Sequence, residues 1–294
     1  MAQADVGIIG GTGLGEELLR RGGRAVELDT PFGSPSAAPV LAEWQGVRVA
    51  FLARHGNGHA HNPSSVPYRA NIWALKTLGV KTILASGATG SLREAIEPTH
   101  LVLCDQVIDK TFRRAGTFFD EGIVAHVELA DPFCPRLRHV LTHCGQSAAT
   151  RVHPRGTYVC MEGPQFSTRA ESLMHRQWGG DVIGMTCMPE ARLAREAEIC
   201  YALIAIATDY DCWRPHTGGD GDSVLASVLA NLRRATDAAL KLIEAALPHL
   251  NGGEPACTCR EALKMAIWTN LQAVDPAIRS RFQPLIGRYL ADGG

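Results

Sequence analysis

The chain has 294 residues, 46% hydrophobic, 20% charged and 6% aromatic, and its 29 basic against 30 acidic side chains leave a formal charge of −1. That composition excludes wholesale disorder, a basic surface for non-specific nucleic-acid binding and a polybasic membrane contact. No run approaches the ~20 apolar residues of a membrane-spanning helix, and Met1–Asp5 leads into a strand-like segment without a signal-peptide pattern, so a soluble cytoplasmic enzyme is expected.

In chain order, the first element is the apolar run Val6–Ile9, which ends in Gly10-Gly11-Thr12-Gly13-Leu14-Gly15. This cluster fits no dinucleotide fingerprint: the frame from Gly11 meets Glu16, the frame from Gly13 meets Leu18, and no Gly-Lys-Ser/Thr follows. It reads either as a plain tight turn or as a turn whose N–H groups and Thr12 hydroxyl hold an oxyanion. Val47–Ala53 is a second strand, ending in Arg54-His55. Arg offers a planar fork for phosphate oxygens and His a further donor. His59 and His61 raise a metal reading, which the absence of nearby carboxylate or thiol and the Arg54 charge disfavour.

Tyr68–Leu78 has helical apolar spacing through Ile72, Trp73 and Leu75 and is closed by Gly79. Thr82–Ala85 is a strand opening onto Ser86-Gly87-Ala88-Thr89-Gly90, read either as a loop rich in backbone donors or as a turn into a helix near Ser91. Met161–Arg169 presents Glu162, a Gly-Pro turn and Phe166, which is either a core side chain or a flat face for a base. Asp181–Gly184 is a strand leading to Met185-Thr186, and Ile199–Ala207 is a long strand followed by Asp209-Tyr210-Asp211. If that strand continues, the two carboxylates share a face; otherwise they are solvated loop residues.

Val224–Leu247 carries an apolar helical stripe, Pro248–Pro255 is a break, and Arg260–Leu271 has a further helical pattern. Strands alternating with helices imply a parallel or mixed sheet, with ligands beyond the carboxyl ends of its strands. Residues 1–250 are expected to form one domain, and 251–294 a helical tail with a Cys-x-Cys pair. The nine cysteines, such as Cys104 and Cys200, lie largely in apolar runs and read as buried hydrophobes. No C-x2-C pair is present, so no metal site is expected. Cys257-Thr258-Cys259 reads as two free thiols or as a vicinal disulfide.

Taken together, nine of these segments resemble, collinearly over about residues 5 to 245, the 5′-methylthioadenosine phosphorylases of the purine nucleoside phosphorylase superfamily. They are Gly7–Leu14, Leu52–Gly56, Tyr68–Lys76, Gly90–Glu94, Asp131–Pro135, Glu162–Pro164, Phe166–Ser172, Met185-Thr186 with Pro189–Ala191, and Ala207–Trp213. The resemblance implies a nucleoside phosphorylase fold, with a central twisted mixed β-sheet flanked by helices. It also implies phosphorolysis of 5′-methylthioadenosine to adenine and 5-methylthioribose 1-phosphate, in purine and methionine salvage. No cofactor is implied, orthophosphate being a co-substrate.

By the same resemblance, phosphate would be held by Thr12, Arg54, His55, the Gly87-Ala88 backbone and Thr186. Met185 would contact the ribose, Phe166 would lie over the purine with Ser167 nearby, Asp209 would protonate N7 and Asp211 would accept from the 6-amino group. Gly221, Val224 and Leu225 would line the 5′-pocket, closed by His126 of a neighbouring copy in a homotrimer or a dimer of trimers. The sequence departs from the family pattern at Gly87, where many relatives have Thr, at Pro67, where Asn is usual, and in the Gly/Asp-rich stretch Thr217–Asp222. A carboxylate at 211 favours a 6-amino over a 6-oxo purine. The alternatives are a broader purine nucleoside or methylthioinosine phosphorylase, a nucleosidase using water, and a non-catalytic nucleoside sensor.

Overall fold

A computed structural model describes residues 3–214, 221–250 and 257–290, without the side chains of residues 16, 17, 19 and 221–224. Among these residues, eleven strands form one mixed sheet. They are β1 (Val6–Gly10), β2 (Arg24–Ala25), β3 (Val40–Trp44), β4 (Val47–Ala53), β5 (Thr82–Ser91), β6 (Leu101–Leu103), β7 (Gln106–Asp109), β8 (Val152–His153), β9 (Thr157–Cys160), β10 (Val182–Gly184) and β11 (Cys200–Tyr210). The helices are α1 (Leu14–Arg20), α2 (Tyr68–Thr77), α3 (Pro135–His143), α4 (Arg169–Gln177), α5 (Cys187–Glu196), α6 (Gly221–Ala246) and α7 (Pro276–Leu290).

At the centre, β1 runs parallel to both β4 and β5. Every residue of β1 is buried, as a strand covered on both faces requires. Side chains alternate across the sheet. Ile8, Leu84 and Ile204 pack with Ala239, Leu242 and Ile243 of α6 on one face. Ile9, Ala85 and Leu203 pack with Ile72 and Trp73 of α2 and Leu193 of α5 on the other. Each buried aliphatic chain of this kind contributes about 1.5–3 kcal/mol relative to exposure.

β5 is the strand on which the sheet forks. Thr82–Ala85 pair with β1 in parallel and Gly90–Ser91 with β10 antiparallel, while β11 follows β5 along its whole length. Ser86–Thr89 therefore have no ladder partner on the β1/β10 side. The stretch expected to be a loop, or a turn into a helix, is strand through Ser91. Its glycines stay extended because β11, from more than a hundred residues away, satisfies the backbone on the other edge.

The tail differs from expectation in its elements. Arg260–Leu271 holds only short 3₁₀ turns and a stretch drawn out by a bridge between Ala125 and Ile267. The helix lies later, at Pro276–Leu290, and Pro284 within it hides its periodicity. Its Phe282, Leu285 and Ile286 are buried in the same cluster as Trp73 and Phe118.

Candidate active site

The ends of β1 and β4, the middle of β5 and the helix α5 meet around one buried cation. The Arg54 N–H donates to the Gly10 carbonyl at 3.0 Å, joining the ends of β4 and β1. The Arg54 guanidinium is fully buried and binds Glu190 of α5 through two bonds, Nε to Oε2 at 2.7 Å and Nη2 to Oε1 at 2.8 Å. Its Nη1 donates to the Ser86 carbonyl of β5 at 2.6 Å. The Tyr201 hydroxyl donates to the same Glu190 at 2.8 Å. Burial alone would lower the Arg54 pKa; the carboxylate reverses this and raises it, so the charge is permanent. A Cβ on Gly11 would lie 2.9 Å from both Arg54 Nη1 and the Ser86 carbonyl, so only glycine lets the first turn close over this cation.

Arg54 thus differs from the free phosphate fork expected of it. Three of its five donors hold Glu190 and Ser86, so the guanidinium is a fixed charge with a restricted set of remaining hydrogens. His55 also differs. Burial first, then the Arg54 charge, pushes its pKa down to about 4. Its Nδ1 lies 2.8 Å from the His61 carbonyl and must carry the proton of a neutral ring, which leaves Nε2 as an acceptor. His55 therefore becomes a second donor only when an anion raises its pKa.

Thr186 sits where β10 passes into α5; it is buried, and its hydroxyl makes no capping bond to that helix. Its Oγ1 lies 3.5 Å from the point a Cβ on Gly87 would occupy, so the two positions face each other. Thr12 is exposed on the turn beside Gly11. Because i and i+2 residues of a strand turn their backbone groups to the same edge, Ala88 presents its N–H toward the opening that Ser86 faces. Ala88 and Gly90 are half-buried within an otherwise buried strand.

At the other end of this opening stand the two aspartates. A register shift in β11 between Ala207 and Asp209 carries the strand on to Tyr210. A Cβ on Gly90 would lie 3.1 Å from Asp211 Cβ and 3.2 Å from Asp209 Oδ1, so both side chains lie against that glycine although the strand ends one residue before Asp211. Thr208 Oγ1 donates to Asp209 Oδ2 at 2.8 Å, and Asn231 of α6 donates to the Thr208 carbonyl at 3.0 Å. Asp211 is 9% exposed, and its Oδ2 is buried without a hydrogen-bond partner among the described residues. A buried carboxylate oxygen in that state marks where a donor from outside the chain belongs.

Met185 lies against the 162–164 turn, since a Cβ on Gly163 would come within 2.5 Å of its sulfur. Phe166 is 85% exposed, and Ser167 is tied to the end of β11 by a 3.2 Å bond from the Cys212 thiol to its carbonyl. Phe166 thus offers a ring with both faces open instead of a core side chain. Leu225 is exposed on α6, while the side chains of Gly221 and Val224 and residues 217–220 lie outside the described residues. His126 contacts the C-terminal segment: its N–H donates to Ala266 at 2.8 Å and its ring meets Trp268 edge-on at 4.5 Å.

Three positioning residues have a role that the sequence does not assign: Glu162 and Glu190 stand there only inside motifs, and Arg114 not at all. Glu190 is one. Arg114 is a second: its Nη1 donates to the Met185 and Met188 carbonyls at 2.5 and 2.6 Å, and its Nε to Glu162 at 3.2 Å, fixing the chain on either side of Thr186. Glu162 is the third, accepting from the Phe112 N–H at 2.8 Å and from the Ser64 hydroxyl. Burial works to raise the Glu162 pKa, but Ser64, Phe112 and Arg114 together lower it. The usable signal was the rule that a buried Arg needs an acid partner; nothing local says which acid.

This mixed sheet, with a gap in the ladder at one strand fork and paired carboxylates a few residues on, defines a class: the chain belongs to the phosphorylase superfamily, whose family model matches residues 5–248. Its relatives there are methylthioadenosine phosphorylases. The S-methyl-5′-thioadenosine phosphorylase of Geobacter sulfurreducens is 47% identical over 286 residues, covering 97% of this chain and 99% of the relative. A crystal structure of a methylthioadenosine phosphorylase from an antarctic soil metagenomic library superposes with a TM-score of 0.90 at 45% identity, covering 97% and 99% of the two chains. A variant adenosine/methylthioadenosine phosphorylase from Schistosoma mansoni, in complex with methylthioadenosine, gives a TM-score of 0.79 at 37% identity over 85% of this chain and 93% of the other. Among the described residues, no helix is long and apolar enough to cross a membrane.

Proposed function

We propose that the protein cleaves the N-glycosidic bond of 5′-methylthioadenosine with orthophosphate, giving adenine and 5-methylthioribose 1-phosphate. The observation that carries this reading is the spacing along β5. Gly87 faces Thr186 and Gly90 faces both aspartates. Three residues of strand span about 10 Å, which sets the distance along β5 between the Thr186 end and the aspartate end of the site.

In the transition state the sugar gains positive and the leaving purine negative charge. Phosphate beneath the anomeric carbon stabilises the first, and a proton from Asp209 to N7 relieves the second. Thr12, Thr186, the Gly87-Ala88 backbone and His55 bind the phosphate, with Arg54 supplying the fixed positive field behind it. A phosphate dianion favours the protonated ring, which turns His55 into a donor in the complex. Met185 packs against the ribose, and Phe166 folds over the purine beside Ser167. Gly221, Val224 and Leu225 line the 5′-pocket, and His126 of a neighbouring copy closes it in a homotrimer. The chemistry uses no metal or organic cofactor. Recovery of adenine and of the methylthioribose skeleton fits a role in purine and methionine salvage, in the cytoplasm.

The test is adenine release from methylthioadenosine with and without phosphate. Omitting phosphate is expected to abolish product, whereas undiminished release would mean a nucleosidase. Base choice rests on Asp211. Asp211→Asn presents an amide donor to a 6-oxo group and leaves the 6-amino group without its charged acceptor. It is expected to shift kcat/KM from methylthioadenosine toward methylthioinosine by about 10-fold or more, as one charge-assisted hydrogen bond of ~1.5–3 kcal/mol is lost. A ratio unchanged from wild type would remove Asp211 from recognition of position 6.

A further inference from the structure

Four cysteines from three distant stretches converge at the end of β11 opposite Asp209. Cys134 precedes α3, Cys200 opens β11, and Cys257 and Cys259 flank Thr258 at the start of a 3₁₀ turn. Their Sγ atoms all lie within 4.8 Å of one another, with Cys134 and Cys257 3.6 Å apart. A tetrahedral cation with metal–sulfur bonds of ~2.3 Å holds its sulfurs about 3.8 Å apart, so the quartet needs only small movements to enclose one. All four are free thiols, and each is in reach of the other three. A four-coordinate ion needs that arrangement; a single disulfide does not. Cys134, Cys200 and Cys259 are at most 2% exposed in an otherwise apolar cluster, while Cys257 is half-buried and gives an ion a way in.

We propose that Cys134, Cys200, Cys257 and Cys259 form a structural site for one zinc ion per chain. Soft thiolates, closed four-fold coordination and burial are the features of structural zinc. Binding expels up to four thiol protons to solvent and forms four Zn–S bonds without change of oxidation state. The resulting −2 centre has Arg136 and Arg260 close to it in sequence. Asp209 lies nine positions along β11 from Cys200, about 30 Å of extended chain, so the ion takes no part in glycosidic cleavage. Its work is to tie the C-terminal segment to α3 and the base of β11. The absence of any C-x2-C spacing concealed the site, because two of its ligands are supplied by tertiary structure.

The test uses the full chain, reduced under argon, freed of metal and titrated with Co²⁺. A thiolate-to-cobalt charge-transfer band that saturates at one equivalent and disappears when zinc is added is expected. Cys259→Ser should lose saturation at one equivalent, and Cys144→Ala, outside the quartet, should retain it. No charge-transfer band from the fully reduced wild-type chain would overturn the site, whatever disulfides the isolated material contains. Since the readout is metal binding to wild-type protein, it stands apart from the assay of nucleoside cleavage.

Discussion

Asp209→Asn is expected to lower kcat for methylthioadenosine by about 10²–10⁴-fold, the usual contribution of a positioned proton donor. The amide keeps the size of the side chain and can still accept the 2.8 Å bond from the Thr208 hydroxyl, so the strand end and its tie to Asn231 should persist. What is lost is a transferable proton at the departing purine. KM should change little, because the missing interaction strengthens only as charge builds on the base. Steady-state kinetics and a thermal melt on the same preparation separate the cases. A variant with wild-type kcat would remove Asp209 from the chemistry, and one with a much lower Tm would make the kinetic loss a folding effect.

The second large effect concerns stability. Glu190→Ala strands the Arg54 guanidinium in a fully buried position and takes the acceptor from the Tyr201 hydroxyl. Breaking a buried ion pair from one side typically costs about 3–5 kcal/mol, more than removing both partners, because the remaining charge has no counterpart. A marked fall in the urea midpoint is expected, along with a raised KM for phosphate as Arg54 loses its orientation. Glu121→Ala is the matched control. It removes the partner of Arg281 in a pair whose members are 35% and 65% exposed, and exposed pairs contribute about 0–1 kcal/mol. If both variants unfold at the wild-type midpoint, the buried pair is not what holds the fork of the sheet together.

Much of this architecture was legible where the physics is local. The seven-residue strand β4 ends where its apolar run meets Arg54, and α2 stops just before Gly79, whose φ of +91° few other residues adopt readily. That the two aspartates lie near each other follows from their i, i+2 spacing, which keeps both within reach of Gly90. Elsewhere the deciding partner lay far along the chain. Glu190 is 136 residues from Arg54, so the strength and direction of that pair were invisible, and with them the limit on how Arg54 meets phosphate. Ser86–Gly90 look like a loop to any local rule; β11 makes them strand. The tautomer of His55 is dictated by the His61 carbonyl, a conformational fact with no residue signature. Pro284 masked α7, and the bridge between Ala125 and Ile267 drew out a segment with helical spacing.

The gap in the ladder of β5 has a consequence beyond the placement of ligands. A bared strand edge is normally a hazard, since another chain can zip onto it. Here β1 and β10 bracket the gap like doorposts, and its four residues, Ser86–Thr89, leave an intruding strand too little length to gain a foothold. The fold thereby leaves the Ala88 backbone facing this gap without inviting aggregation.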